Sequence, residues 1–117
     1  MPLRVLFLCN QNRLRSPTAE QVFGADPDLE VQSAGVDPDA TIPVTREALE
    51  WADLVFVMEK RQRNIVRKRF PDLYSIKRIV CLYIPDNYDY MDPALVTILR
   101  TAVPRHFRPP EEGIIQE

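Results

Sequence analysis

Leu3-Arg4-Val5-Leu6-Phe7-Leu8-Cys9-Asn10-Gln11-Asn12-Arg13-Leu14-Arg15-Ser16-Pro17 runs from an apolar segment through a polar loop into a helix-start signal. The stretch 3–8 is apolar at every position but Arg4, the pattern of a strand covered by helices on both faces. Pro17 stands where a first helical residue would, with Ser16 before it as a natural cap. Ala19, Val22 and Phe23 then share one helical face, and Gly24 can close the helix. Strand, loop and helix in this order open a βαβ unit.

The same alternation continues along the chain. A short strand is expected over 30–33, then a loop over 34–43 that holds Gly35, Pro38 and Asp39. Thr45 can cap a helix reaching about Ala52, with Leu49 and Ala52 turned inward. A third strand fits 54–58, and a third helix fits 61–70, stopped by Pro71. A fourth strand fits 79–84. Asp92 and Pro93 read as the cap and first turn of a last helix carrying Leu95, Leu99, Ala102 and Val103, ended by Pro104. The pattern predicts an α/β fold: a doubly wound four-stranded parallel sheet with helices on both faces and a phosphate-binding loop after the first strand. Residues 1–104 are expected to form one domain. Residues 105–117, with Pro109, Pro110 and several glutamates, are expected to form a loose tail.

Composition narrows the function classes. A chain of 117 residues is one domain's worth, and a net charge of −2 gives no argument for a nucleic-acid or membrane partner. The apolar runs are far too short to span a bilayer, and no secretory signal is expected at the N-terminus. The two cysteines are too few for a disulfide framework, so a reducing, cytoplasmic compartment is expected. No His/Cys cluster has metal-ligand spacing, and no cofactor is expected.

The loop carries the chemistry. Cys9, five residues and Arg15 make a weak pattern alone, but here a buried strand delivers the cysteine and a helix starts behind the arginine. In that setting the backbone N–H groups of Asn10, Gln11, Asn12, Arg13, Leu14, Arg15 and Ser16 can surround phosphate oxygens, and the helix dipole adds positive potential. Both effects favour a thiolate over a thiol, so Cys9 is expected to be a nucleophile. Arg15 supplies a planar fork for two phosphoryl oxygens. Loops after the strands of a parallel sheet emerge on one edge. This brings Cys9 to Ser16, Ser33 to Gly35, the residues after Met58, and Asp86 to Tyr90 together.

The segment 5–20 resembles the signature of the low-molecular-weight protein tyrosine phosphatases. The resemblance continues at Val31-Gln32-Ser33-Ala34-Gly35, at 52–58, and at Ile84-Pro85-Asp86. It implies that Cys9 is the nucleophile, Arg15 the phosphate clamp, and Ser16 a donor to the thiolate, with Asn12 and Ser33 holding the loop in shape. It implies a general acid after the last strand, where Asp86, Asn87 and Tyr88 stand. The chain departs from the family at five places. Gln11 replaces a loop glycine, Leu14 replaces a second loop cysteine, and Asn87 replaces the proline after the acid. The segment after Gly35 is short, and the histidine that braces the loop asparagine is missing.

The expected activity is hydrolysis of a phosphomonoester, with a phosphorylated protein (phosphotyrosine first) or a small phosphoester as substrate and a phosphocysteine intermediate. Asp86 competes for the acid's role with Asp89 and with Asp92, which has its own explanation as a helix cap. Tyr88 and Tyr90 are candidates for the pocket mouth. Alternatives are an arsenate reductase, a phosphatase for phosphoserine or RNA, and a non-catalytic phosphate-binding module. A reductase needs resolving thiols, and Cys81 lies on the fourth strand instead. The basic helix from Lys60 to Arg69 reads either as a solvated face or as a dock for an acidic partner.

Overall fold

Leu3–Cys9 (β1) forms an inner strand, with Leu29–Gly35 (β2) on one side and Leu54–Val57 (β3) on the other. Arg78–Cys81 (β4) pairs with β3, giving an all-parallel sheet of order β2-β1-β3-β4. The molecule is a computed structural model that describes residues 2–107. Its helices are Arg15–Phe23 (α1), Arg46–Trp51 (α2), Lys60–Arg69 (α3), Pro71–Ile76 (α4) and Pro93–Ala102 (α5).

Alternation along the central strands divides the core. Val5, Phe7 and Cys9 of β1, with Leu54 and Phe56 of β3, face Ala19 and Phe23 of α1 and Leu95 and Leu99 of α5. Leu6, Leu8, Val55 and Val57 face Leu49 of α2, Val66 of α3 and Leu73 of α4. Phe7 is fully buried between Phe23 and Phe56, with ring centroids 5.7 and 5.2 Å away. Burying one such ring contributes roughly 1.5–3 kcal/mol. Arg4, the polar position in β1, lies at the strand's exposed start, where its N–H donates to Asp53 Oδ2 at 3.0 Å. That backbone bond holds the Asp53 carboxyl below its ordinary range.

Local chemistry explains where the elements begin. Thr45 Oγ1 accepts from Ala48 N–H at 3.1 Å and starts α2. Asp92 Oδ1 accepts from Ala94 N–H at 2.9 Å and starts α5. The helix α1 differs from the sequence expectation: it starts at Arg15, and Ser16 lies inside it with its hydroxyl turned to Cys9 instead of capping. Pro71 ends α3 as expected but also opens α4, a short helix hidden in the sequence by its proximity to α3. The strand β4 stops at Cys81, although Leu82 and Ile84 still donate to Val57 O and Met58 O.

Of the residues expected to be loose, Arg105, His106 and Phe107 join Pro104 in a 3-10 turn. Phe107 packs edge-on against Phe23 and Phe56, at 5.9 and 6.4 Å between centroids. The rest of the expected tail, 108–117, lies outside the described residues. No helix among the described residues is long and apolar enough to cross a membrane.

Candidate active site

Cys9 ends β1 with its side chain in the interior, 3% exposed, and Arg15 begins α1 at 1% exposed. Between them the chain turns through Asn12, whose φ of 56° lies in the left-handed region that asparagine tolerates better than most residues. The turn aims Asn12 N–H at Cys9 Sγ, at 3.2 Å. Ser16 Oγ lies 3.0 Å from the same sulfur. The N–H groups of Gln11, Arg13, Leu14, Arg15 and Ser16 meet no protein acceptor among the described residues. Together with the N-terminus of α1 they make an anion-binding floor. Above it is a cavity of about 290 Å³ lined by Cys9, Asn10, Gln11, Arg13, Leu14, Arg15, Asp37 and Asp86.

The segment after β2 holds this loop from behind. Val36, Asp37 and Thr41 N–H groups donate to the carbonyls of Cys9, Asn10 and Gln11, at 2.9, 3.0 and 3.0 Å. This approach depends on Gly35. A Cβ there would lie 2.6 Å from Asn10 O and 2.9 Å from Asn12 N, and both are backbone atoms that cannot swing aside. Gly35→Ala is expected to destabilise the fold by about 1–3 kcal/mol and to weaken phosphate binding as the loop shifts. Denaturant unfolding and phosphate titration check both effects; an unchanged midpoint would contradict the close packing.

Arg15 is gripped on several sides. Its Nη1 donates to Ile84 O at 2.7 Å and lies 3.0 Å from Glu59 Oε1, while Nε is 3.6 Å from Asp86 Oδ1. Glu59 follows β3 and is held by Gln62, a fully buried side chain whose Oε1 accepts from Met58 and Glu59 N–H groups at 2.6 and 2.8 Å. The Gln62 Nε2 reaches Asn10 Oδ1 and Glu59 Oε1 at 3.1 and 3.2 Å. Arg61 bridges Asn10 Oδ1 and Asp37 Oδ1 at 2.6 and 2.8 Å. Part of the basic run therefore braces the site, and Arg69 likewise donates to Val36 O.

The structure brings Cys9, Arg15 and Asp86 to one cavity, with Asn12, Ser16 and Ser33 behind it. Asp92 caps α5, and neither it nor Asp89 lines the cavity. The two tyrosines do not take the expected place. Tyr88 packs against the apolar core and Tyr90 is exposed, and neither is among the lining residues. The segment that carries them is pinned by Met91 N–H donating to Thr18 Oγ1 at 2.9 Å. Asp37 holds the opposite rim.

Cys81 lies two strands from Cys9 and packs with the opposite core layer. Adjacent strands are about 4.8 Å apart, so the Cα atoms are separated by about 10 Å, beyond disulfide reach of about 7 Å.

Sequence reasoning missed Glu59, Gln62, Arg61, Asp37 and Thr18, because each acts through a contact distant in sequence. Their one visible signal is position, since Asp37, Glu59, Arg61 and Gln62 follow strands at the ligand edge.

No protein-family model matches the chain. A protein-arginine-phosphatase of Geobacillus stearothermophilus is 27% identical, over 68% of this chain and 73% of that protein. The solved YwlE arginine phosphatase from the same organism superposes with a TM-score of 0.69 at 23% identity, over 91% of this chain and 94% of that one. The tyrosine phosphatase Wzb from Escherichia coli K30, in complex with sulphate, gives 0.73 at 20% identity, over 91% and 96%. A low-molecular-weight protein tyrosine phosphatase from T. tengcongensis gives 0.66 at 23% identity, over 86% and 92%. The chain has the fold of the low-molecular-weight phosphatases, and its sequence resembles theirs. In this structure the loop 9–15 follows β1, and the chain's single histidine is not among the residues that line its cavity. His106 instead sits at the 3-10 turn, its ring 5.8 Å from that of Phe56, and burial pushes its pKa down.

Proposed function

We propose that this chain is a cysteine-dependent phosphatase acting on phosphorylated proteins. The observation that carries the reading is a single cavity holding a buried thiol, a buried guanidinium and an exposed carboxylate over a floor of free amide N–H groups. Cys9 Sγ attacks phosphorus in line as the bond to the leaving atom breaks, and Asp86 gives that atom its proton. Asp86 then takes a proton from water as its oxygen displaces Cys9 and releases phosphate. Arg15 and the loop amides bind the equatorial oxygens, whose charge is concentrated in the transition state.

Asp86→Ala is expected to lower kcat about 10²–10³-fold for substrates with poor leaving groups, and far less for p-nitrophenyl phosphate. Asp92→Ala is expected to cost about 1 kcal/mol of stability with little kinetic effect. Steady-state kinetics beside thermal melting separate the two, and exchanged phenotypes would move the acid to Asp92.

A second reading of the substrate has its own support. Among the described residues, the cavity lining carries two carboxylates, Asp37 and Asp86, and no aromatic side chain. Carboxylates suit a cationic leaving group, and the sequence relative is an arginine phosphatase. Phosphoarginine is thus a candidate substrate beside phosphotyrosine. An acidic stretch of the protein substrate would meet Lys60, Arg67 and Lys68, which are exposed on α3. Turnover of phosphotyrosine, phosphoserine and phosphoarginine peptides by one preparation ranks these substrates. No turnover of any of them would contradict the enzyme reading.

A further inference from the structure

Ser33 Oγ donates to Glu20 Oε1 at 2.5 Å, and the proposed reaction gives Glu20 no part. We propose that Glu20 is a positioning residue that sets the direction of the hydrogen bonds ending on Cys9. The proposal rests on Cys9 as the nucleophile and adds how its thiolate is held.

Proton direction follows from what each group can do. A carboxylate only accepts, so the single hydroxyl proton of Ser33 goes to Glu20. Ser33 then meets Asn12 only as an acceptor, which fixes the Asn12 amide with its NH₂ toward Ser33, at 2.9 Å. The second proton of that NH₂ goes to Ser16 Oγ at 3.0 Å. Ser16 is an acceptor there too, and its own proton is left for Cys9 Sγ at 3.0 Å, with Ala34 O farther off at 3.4 Å. In the opposite amide orientation Asn12 Oδ1 would take protons from both serines. The sulfur would then keep only Asn12 N–H. Among the described contacts, Glu20 is what excludes that arrangement. Asn12, Ser16 and Ser33 are 5%, 0% and 6% exposed, so bulk water offers no substitute. Glu20 lies one helical turn after Ser16 on α1, which is why one helix supplies both ends of the chain of bonds.

The charges around Cys9 come from several elements: Arg13 in the loop, Arg15 on α1, Asp37 after β2, Glu59 after β3 and Asp86 beyond β4. All are retained when Glu20 alone is changed. The sign of the effect then separates two accounts. If Glu20 acted only through its charge, removing it would favour the thiolate and speed alkylation of Cys9 at low pH. The hydrogen-bond account predicts the opposite.

The test measures iodoacetamide alkylation of Cys9 against pH, by peptide mass spectrometry, with thermal melting alongside. For Glu20→Ala, alkylation is expected to be about fivefold to tenfold slower than wild type at pH 6, with the difference narrowing as pH rises. In a Ser33→Ala background, Glu20→Ala should add no further change. Glu20→Gln, which keeps the side chain's volume, should shift the profile in the same direction by less, and serves if the alanine variant folds poorly. An unchanged or faster profile, or an equal loss in the Ser33→Ala background, would overturn the proposal. Wild-type alkylation that fails to abolish turnover would instead contradict Cys9 as the nucleophile.

Discussion

Cys9→Ser is expected to abolish turnover, by about 10⁴-fold or more in kcat, while phosphate binding stays within a few-fold of wild type. At neutral pH a hydroxyl is a far poorer nucleophile than a thiolate, and among the described residues the groups within hydrogen-bond distance of the sulfur are Ser16 Oγ and Asn12 N–H, neither of them a carboxylate or an imidazole. Binding survives because the floor is backbone, and a serine leaves the turn at Asn12 and the start of α1 unchanged. Turnover of p-nitrophenyl phosphate and calorimetric titration with inorganic phosphate read the two halves separately. Substantial turnover by a homogeneous Cys9→Ser sample would sink the phosphocysteine route.

Arg15→Lys is expected to lose about 10³-fold in kcat/KM although the charge is kept. The guanidinium serves Ile84 O and Glu59 through one nitrogen and lies beside Asp86 through another, which leaves its fork fixed for the phosphoryl oxygens. A lysine ammonium is a point charge on a flexible stem and can satisfy Glu59 or the phosphoryl group in one geometry, not both at once. Because Arg15 is buried, melting temperature must be measured beside the kinetics. Near-normal kinetics in a well-folded lysine variant would remove the clamp role.

The sheet was legible in the sequence because β1 from Val5 onward and β3 are buried on both faces and read as apolar runs. The sites of Cys9 and Arg15 were legible because a strand and a helix bracket the loop in sequence. Legibility failed where a residue has two competing uses. Ser16 has the chemistry of a cap, but burial beside a thiol gives its hydroxyl a stronger use, and the helix starts two residues earlier, at Arg15. Tyr88 could have faced the cavity, and the apolar core claimed its ring instead. Glu59, Gln62 and Arg61 form one network with Asn10 across more than 40 residues of sequence, and no local spacing announces such a contact. Asp92 shows the reverse case: an aspartate followed by proline has a local explanation, and the structure uses it so.

The proposed mechanism turns on a covalent phosphoryl group on Cys9. The most direct measurement is alkaline rapid quench of the wild-type enzyme during turnover of p-nitrophenyl phosphate, followed by intact-mass analysis and peptide mapping. One phosphoryl group per chain is expected, confined to the peptide containing Cys9, formed and consumed no more slowly than the enzyme turns over. Turnover that proceeds with no labelled chain, or with the phosphoryl group on another residue, would contradict it.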